Sequence, residues 1–103
     1  MPTPDRLHIL IVDDDAAIRR TLRGVLEDEG HTVAEAPAAE NAHETLEKQR
    51  FDAVLLDLRM PGEHGLDALV RIRENAPDTA VIVISSRPWN RRSTRRSGSS
   101  SKA

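Results

Sequence analysis

Hydrophobic positions along the chain alternate between two periods. Residues 8–12, His-Ile-Leu-Ile-Val, form an apolar β-branched run without alternation, which predicts a strand covered on both faces, as in a parallel sheet. Three aspartates, Asp13, Asp14 and Asp15, end it. From Ala16 the spacing becomes helical through Ile18, Leu22, Val25, Leu26 and Glu29, with Asp14 or Asp15 as N-cap and Gly30 as the C-terminal stop. Residues 31–35 around Val33 predict a second, weaker strand, and Ala39, Ala42 and Leu46 a narrow, alanine-rich helical stripe ending near Gln49. Ala53-Val54-Leu55-Leu56 repeats the buried-strand pattern and stops at another aspartate, Asp57. The loop Arg59-Met60-Pro61-Gly62 breaks regular structure, and Leu66, Leu69, Val70 and Ile72 mark a third helix to about Asn75. A fourth strand, Ala80-Val81-Ile82-Val83-Ile84, ends at Ser85 and Ser86.

Strands that alternate with helices imply a doubly wound α/β fold, a parallel sheet covered on both faces and joined by right-handed crossovers. In open sheets of this kind ligands sit outside the carboxyl ends of the strands. Asp13 and Asp14, Asp57, and Ser85 end the first, third and fourth strands, so all of them are expected at that edge. After Ser86 apolar periodicity stops. Residues 1–86 therefore read as one domain and residues 87–103 as a disordered basic tail rich in Arg and Ser.

Composition narrows the class. A chain of 103 residues has room for one core, and with 2% aromatic residues that core must be aliphatic. The absence of cysteine excludes disulfides and thiolate metal sites. No apolar stretch approaches the roughly 20 residues of a membrane span, and residues 1–7 lack the apolar centre of a secretion signal. A cytoplasmic protein with no membrane contact is expected. The net charge of -2 conceals an asymmetry: residues 87–103 carry five Arg, Lys102 and no acid, so nine bases face seventeen acids in the rest. The tail has one aromatic residue and no nucleic-acid-binding motif, so it reads as solvated and nucleic acid is not an expected partner of this chain.

The carboxylates at adjacent strand ends need more explanation. One aspartate there is accounted for by a helix cap or a strand end. A set of them at one edge repels and pays desolvation, which a resident cation relieves. A hard divalent ion such as Mg²⁺ suits all-oxygen ligands and leaves positions for phosphate oxygens. Pro61 and Gly62 fix a turn in the loop after the third strand. His8, His31, His43 and His64 lie on different elements without ligand spacing and read as solvated or partly buried imidazoles.

Val12-Asp13-Asp14-Asp15, the segment Asp57-Leu58-Arg59-Met60-Pro61-Gly62-Glu63-His64-Gly65-Leu66, and the hydroxyl residue Ser85 together resemble the signature of response-regulator receiver domains. The resemblance runs from about residue 7 to residue 86. It implies a flavodoxin-like receiver fold and a phosphorelay signalling module rather than an enzyme, with Asp57 accepting a phosphoryl group from a sensor histidine kinase. It implies further that Asp13, Asp14, Asp57 and the Arg59 backbone carbonyl hold Mg²⁺, and that Ser85 hydrogen-bonds the phosphoryl oxygens; Pro61 and Gly62 then either fix a turn or let the Arg59 carbonyl face the ion. A carboxylate is a competent nucleophile for phosphorus, and the transfer needs alignment and charge neutralisation more than covalent help.

The chain departs from the family after the fourth strand. A receiver continues through a helix, a fifth strand bearing a phosphoryl-contacting lysine, and a final helix. Lys102 stands too early and in a Ser-rich context, and no output domain is expected in this chain. The expectation is a truncated fold with part of one sheet face and the fourth strand's edge bare, and of low stability. Two alternative functions accompany the leading one. A defective or decoy receiver would act only by protein–protein interaction. A haloacid-dehalogenase-type phosphatase would use Asp13, of Asp13-x-Asp15, as its nucleophile.

The sudden change of composition after Ser86 fits out-of-frame translation. Trp89 is encoded only by TGG and Asn90 begins with A, so the frame one base later contains the glycine codon GGA. With suitable codons for Arg87 and Pro88 that frame reads Gly-His-Gly, similar to the residues after the hydroxyl position in many receivers of the nitrogen-regulation type. Sequencing the downstream DNA tests this: the shifted frame is expected to encode a receiver-like helix and strand, and its failure to do so rejects the idea.

Overall fold

Each element of the computed structural model can be traced to a local cause in the sequence; the structure describes residues 6–59 and 65–84. Strand β1 (His8–Val12) leads into helix α1 (Ala16–Asp28), followed by β2 (Thr32–Ala36), α2 (Ala39–Lys48), β3 (Ala53–Asp57), α3 (Gly65–Asn75) and β4 (Ala80–Ile84). The predicted domain boundary at Ser86 and the tail 87–103 lie outside the described residues.

Asp15 proves to be the N-cap of α1, its side chain accepting from the Ala17 and Ile18 amides at 2.9 and 3.3 Å. At the other end Gly30 takes φ 97°, and two bonds close the helix: Gly30 N–H to Glu27 O at 2.9 Å and His31 N–H to Leu26 O at 3.1 Å. This is a Schellman stop, which glycine alone meets without steric penalty. It shifts β2 one residue later than the apolar pattern around Val33 suggested.

The four strands are parallel in the order β2-β1-β3-β4, so β1 and β3 occupy the centre. Side chains alternate between faces. Leu10, Val12, Val54 and Leu56 point to one face and meet Ala39 and Ala42 of α2, Ala68 and Ile72 of α3, and Phe51, forming the main core. Ile9 and Ile11 lie on the opposite face with Val33, on the side of α1.

The helices reach the sheet through smaller residues than expected. In α3 the buried positions are Gly65, Ala68 and Ile72, while Leu66 and Val70 are about half exposed. Gly65 lets the start of α3 lie against Leu58, the residue after β3, and Leu66 and Val70 are turned outward while Ile72 enters the core. In α1 no residue is fully buried and Val25 leaves the predicted stripe, being 56% exposed. On the edge strand β4, Ile82 and Val83 are also about half exposed.

What α1 lacks in packing is supplemented by ions. Glu35 stands on β2 in register with Ile11, on the α1 face where an apolar residue would be ordinary. Its two carboxylate oxygens accept from Arg19 Nε at 2.9 Å and Arg23 Nη1 at 2.8 Å, and Arg23 also pairs with Glu27 one turn on. Hydrogen bonding from Arg23, with a smaller part from Arg19, outweighs partial desolvation and holds the Glu35 carboxyl below its ordinary value of 4.5. A carboxyl whose folded pKa is depressed contributes stability that is present above the unfolded value and lost as pH falls through the folded one. Urea unfolding across pH should therefore find Glu35→Gln less stable than wild type by about 1 kcal/mol at neutral pH. The two curves should converge as pH drops below the usual carboxylate range; a difference that persists in acid would mean that packing, not charge, is responsible.

Candidate functional site

The parallel register of β1 and β3 builds the site. Val12 pairs with Leu56, so the next residues along each strand, Asp13 and Asp57, emerge side by side at the carboxyl edge of the sheet. Both are completely buried. Asp14 is the more exposed third member, and one carboxylate oxygen from each of the three lies within 4.8 Å of the others. Full charges at that separation repel by on the order of 3 kcal/mol per pair at the effective dielectric of a protein.

Backbone amides hold this arrangement. Asp13 Oδ1 accepts from the Asp15 amide at 2.9 Å, and Asp57 Oδ1 from the Arg59 amide at 2.9 Å, so each carboxylate is oriented by the turn after it. The three consecutive aspartates thereby divide their roles: Asp13 and Asp14 join the cluster, while Asp15 caps α1. The donor set fits a hard divalent cation, because it is wholly oxygen, acidic and clustered at one point. Asp13, Asp14 and Asp57 are the residues that would hold it, and Arg59 follows Asp57 by two residues.

Gly65 is a site residue whose reason was hidden in the sequence. A Cβ at this position would lie 2.5 Å from the Leu58 carbonyl oxygen and 2.7 Å from Leu58 Cα. The start of α3 is thus pressed against the residue after Asp57, which no side chain at position 65 would permit. The motif contained Gly65, but a packing demand of this kind has no local signal.

Of the other predicted site residues, Ser85, Pro61 and Gly62 lie outside the described residues, as do His64 and Lys102. The described histidines stand apart from the carboxylates. His8 stacks on Phe51 with ring centroids 4.2 Å apart and its Nδ1 meets the Arg50 carbonyl, His31 Nδ1 accepts from the Leu7 amide, and His43 is buried on α2. A cavity of about 170 Å³ lined by Phe51, Pro77 and Thr79 lies at the amino ends of the strands, opposite the acidic edge.

Comparison with known proteins agrees with this geometry. The family model described as the response regulator receiver domain matches residues 9–95. The alginate biosynthesis transcriptional regulatory protein AlgB of Pseudomonas aeruginosa is 47% identical over 77 residues, which is 75% of this chain and 17% of that protein. The chain thus spans less than a fifth of this relative. Among solved structures, the response regulator TrrA of Thermotoga maritima in complex with Mg(2+)-BeF is 34% identical with a TM-score of 0.73, covering 78% of this chain and 70% of that one. TrrA in complex with the histidine kinase ThkA matches at 33% identity and the same TM-score of 0.73, over 82% and 72% of the two chains. With its central β1–β3 pair, its acidic carboxyl edge and a family match over most of its length, the chain belongs to the response-regulator receiver domains, the phosphorelay signalling modules of two-component systems.

Proposed function

We propose that Asp57 is the phosphoacceptor of this receiver, taking its phosphoryl group from a sensor histidine kinase. Asp13, Asp14, Asp57 and the Arg59 backbone carbonyl would hold Mg²⁺, and Ser85 would hydrogen-bond the transferred group. The observation that carries this reading is the clustering of three carboxylates around Asp57 at the edge of the sheet. The complex of TrrA with a histidine kinase supports the choice of donor, and its complex with Mg(2+)-BeF the choice of metal. Among the described residues no helix is long and apolar enough to cross a membrane, and the cytoplasm is the compartment we assign.

In the transfer an Asp57 oxygen attacks phosphorus, the phosphorus–nitrogen bond of the kinase's phosphohistidine breaks, and its electron pair returns to the imidazole. The product is an acyl phosphate on Asp57. Bound Mg²⁺ would neutralise charge on the phosphoryl oxygens. The rest of the work belongs to the chain. The Arg59 amide fixes the rotation of the Asp57 carboxylate through Oδ1, and burial at the end of β3 limits its approach to the open edge. The Asp15 amide does the same for Asp13. The phosphatase alternative gains nothing here, since Asp15, the second aspartate of its motif, is engaged as a helix cap.

Two measurements test the reading. Incubation of the full chain with a small phosphodonor and Mg²⁺ should add one phosphoryl group to the intact mass, and Asp57→Asn should abolish the gain. A wild-type chain that gains no mass, or an Asp57→Asn chain that still does, rejects Asp57 as acceptor. In chelator, Asp13→Asn should raise unfolding free energy by about 1–2 kcal/mol, because it removes a buried like charge and keeps the acceptor for the Asp15 amide. The same substitution should erase most of the stabilisation that added Mg²⁺ confers on wild type.

A further inference from the structure

We propose that Arg19 is a positioning residue for the acidic site, clamping the Asp13 backbone to β2 so that the Asp13 carboxylate is presented in a fixed place. The proposal rests on the reading of Asp13 as a cation ligand. Asp13 is the first residue beyond β1, where the ladder to β3 has ended, so its position must be set by other bonds. Three are present. Its amide donates to Ala36 O at 3.1 Å, its Oδ1 accepts from the Asp15 amide, and its carbonyl accepts from Arg19 Nη1 at 2.6 Å.

The last of these has support behind it. Arg19 Nε donates to Glu35 Oε1 at 2.9 Å, and the other Glu35 oxygen is held by Arg23. The Arg19 side chain is 15% exposed, well below the 41% of Arg23, so its guanidinium is largely withdrawn from water. Its own amide bonds to Asp15 O at 3.0 Å, placing the stem in the first turn of the helix that Asp15 caps. One rigid plane therefore joins the end of β2, the start of α1 and the backbone of a proposed ligand. A lysine offers a single flexible point charge and cannot span Glu35 and the Asp13 carbonyl in the same way.

Charge alone predicts the opposite of positioning. A guanidinium beside a cation site repels the cation, so its removal, leaving Glu35 less neutralised, should tighten Mg²⁺ binding. If Arg19 works by holding Asp13, its removal should loosen it, as loss of outer-shell partners of metal ligands does. The two effects differ in sign, which makes the outcome decisive.

The experiment is calorimetric titration of the full chain with Mg²⁺ alone, with urea unfolding of each variant in parallel. Arg19→Ala is expected to weaken Mg²⁺ affinity by about tenfold. Arg19→Lys, which keeps the charge and most of the stem, is expected to weaken it similarly and serves if the alanine variant does not fold. Arg23→Ala removes the other partner of Glu35 without touching Asp13; it should lower stability and leave Mg²⁺ affinity unchanged. Unchanged or tighter binding in both Arg19 variants overturns the proposal, and so does an equal weakening in Arg23→Ala, which would mark a general loss of structure. Asp13→Asn separates the two levels. If it binds Mg²⁺ as wild type does, the ligand reading of Asp13 is wrong; if it binds weakly while the Arg19 variants do not, only the positioning role fails.

Discussion

The parallel pairing of β1 with β3 is the constraint on which the rest depends. It is non-local, with α1, β2 and α2 lying between the two strands in the chain, and it is fixed by the core rather than by the carboxylates it brings together. Leu10, Val12, Val54 and Leu56 are all fully buried on the α2–α3 face. A slip of one residue in β3 would turn Val54 and Leu56 to the other face and exchange Leu58 for Asp57 beside Asp13. The hydrophobic core thus sets the separation of the acids. Chemistry at the edge is a consequence of packing in the middle.

That arrangement sets an electrostatic problem at the end of two buried strands. Asp13 and Asp57 stand where the apolar pattern stops, fully enclosed, with Asp14 close by. Local propensity and packing agree along each strand and conflict at its last residue, as happens where a fold carries a site. Amides from the adjoining turns offset part of the cost. The remainder is a cost that a bound cation would relieve, and binding at the edge would then be linked to stability of the whole domain.

Much of this was legible beforehand because the signals are local. Unalternated apolar runs marked β1, β3 and β4, and aspartate and glycine marked the ends of α1. The acidic edge could be read from the carboxyl ends of the strands, since Asp13 and Asp57 each end a strand of a parallel sheet. What escaped depends on tertiary closeness. Gly65 and Ala68 face the sheet because the α3 backbone approaches it, whereas hydrophobicity selects Leu66 and Val70. Glu35 carried a faint signal, being a charge in alternation with Val33 on an inward position of β2. Its partners, Arg19 and Arg23, are one helical turn apart on α1 and read from sequence as ordinary surface cations.

Those ions change the account of how α1 is held. A helix whose apolar residues are only partly buried gains less from burial than α2 or α3, and exposed ion pairs are each worth little on their own. Arg19 differs in being largely withdrawn from water and in bonding to a backbone carbonyl as well as to Glu35. The docking of α1 on β2 and the placement of Asp13 then share one guanidinium. Free energies of coupling are reciprocal: whatever fixes Asp13 at the edge also favours the docked first turn of α1, and whatever draws α1 away from β2 relaxes Asp13. The helix without a fully buried residue is therefore the one whose position the acidic edge is best able to sense.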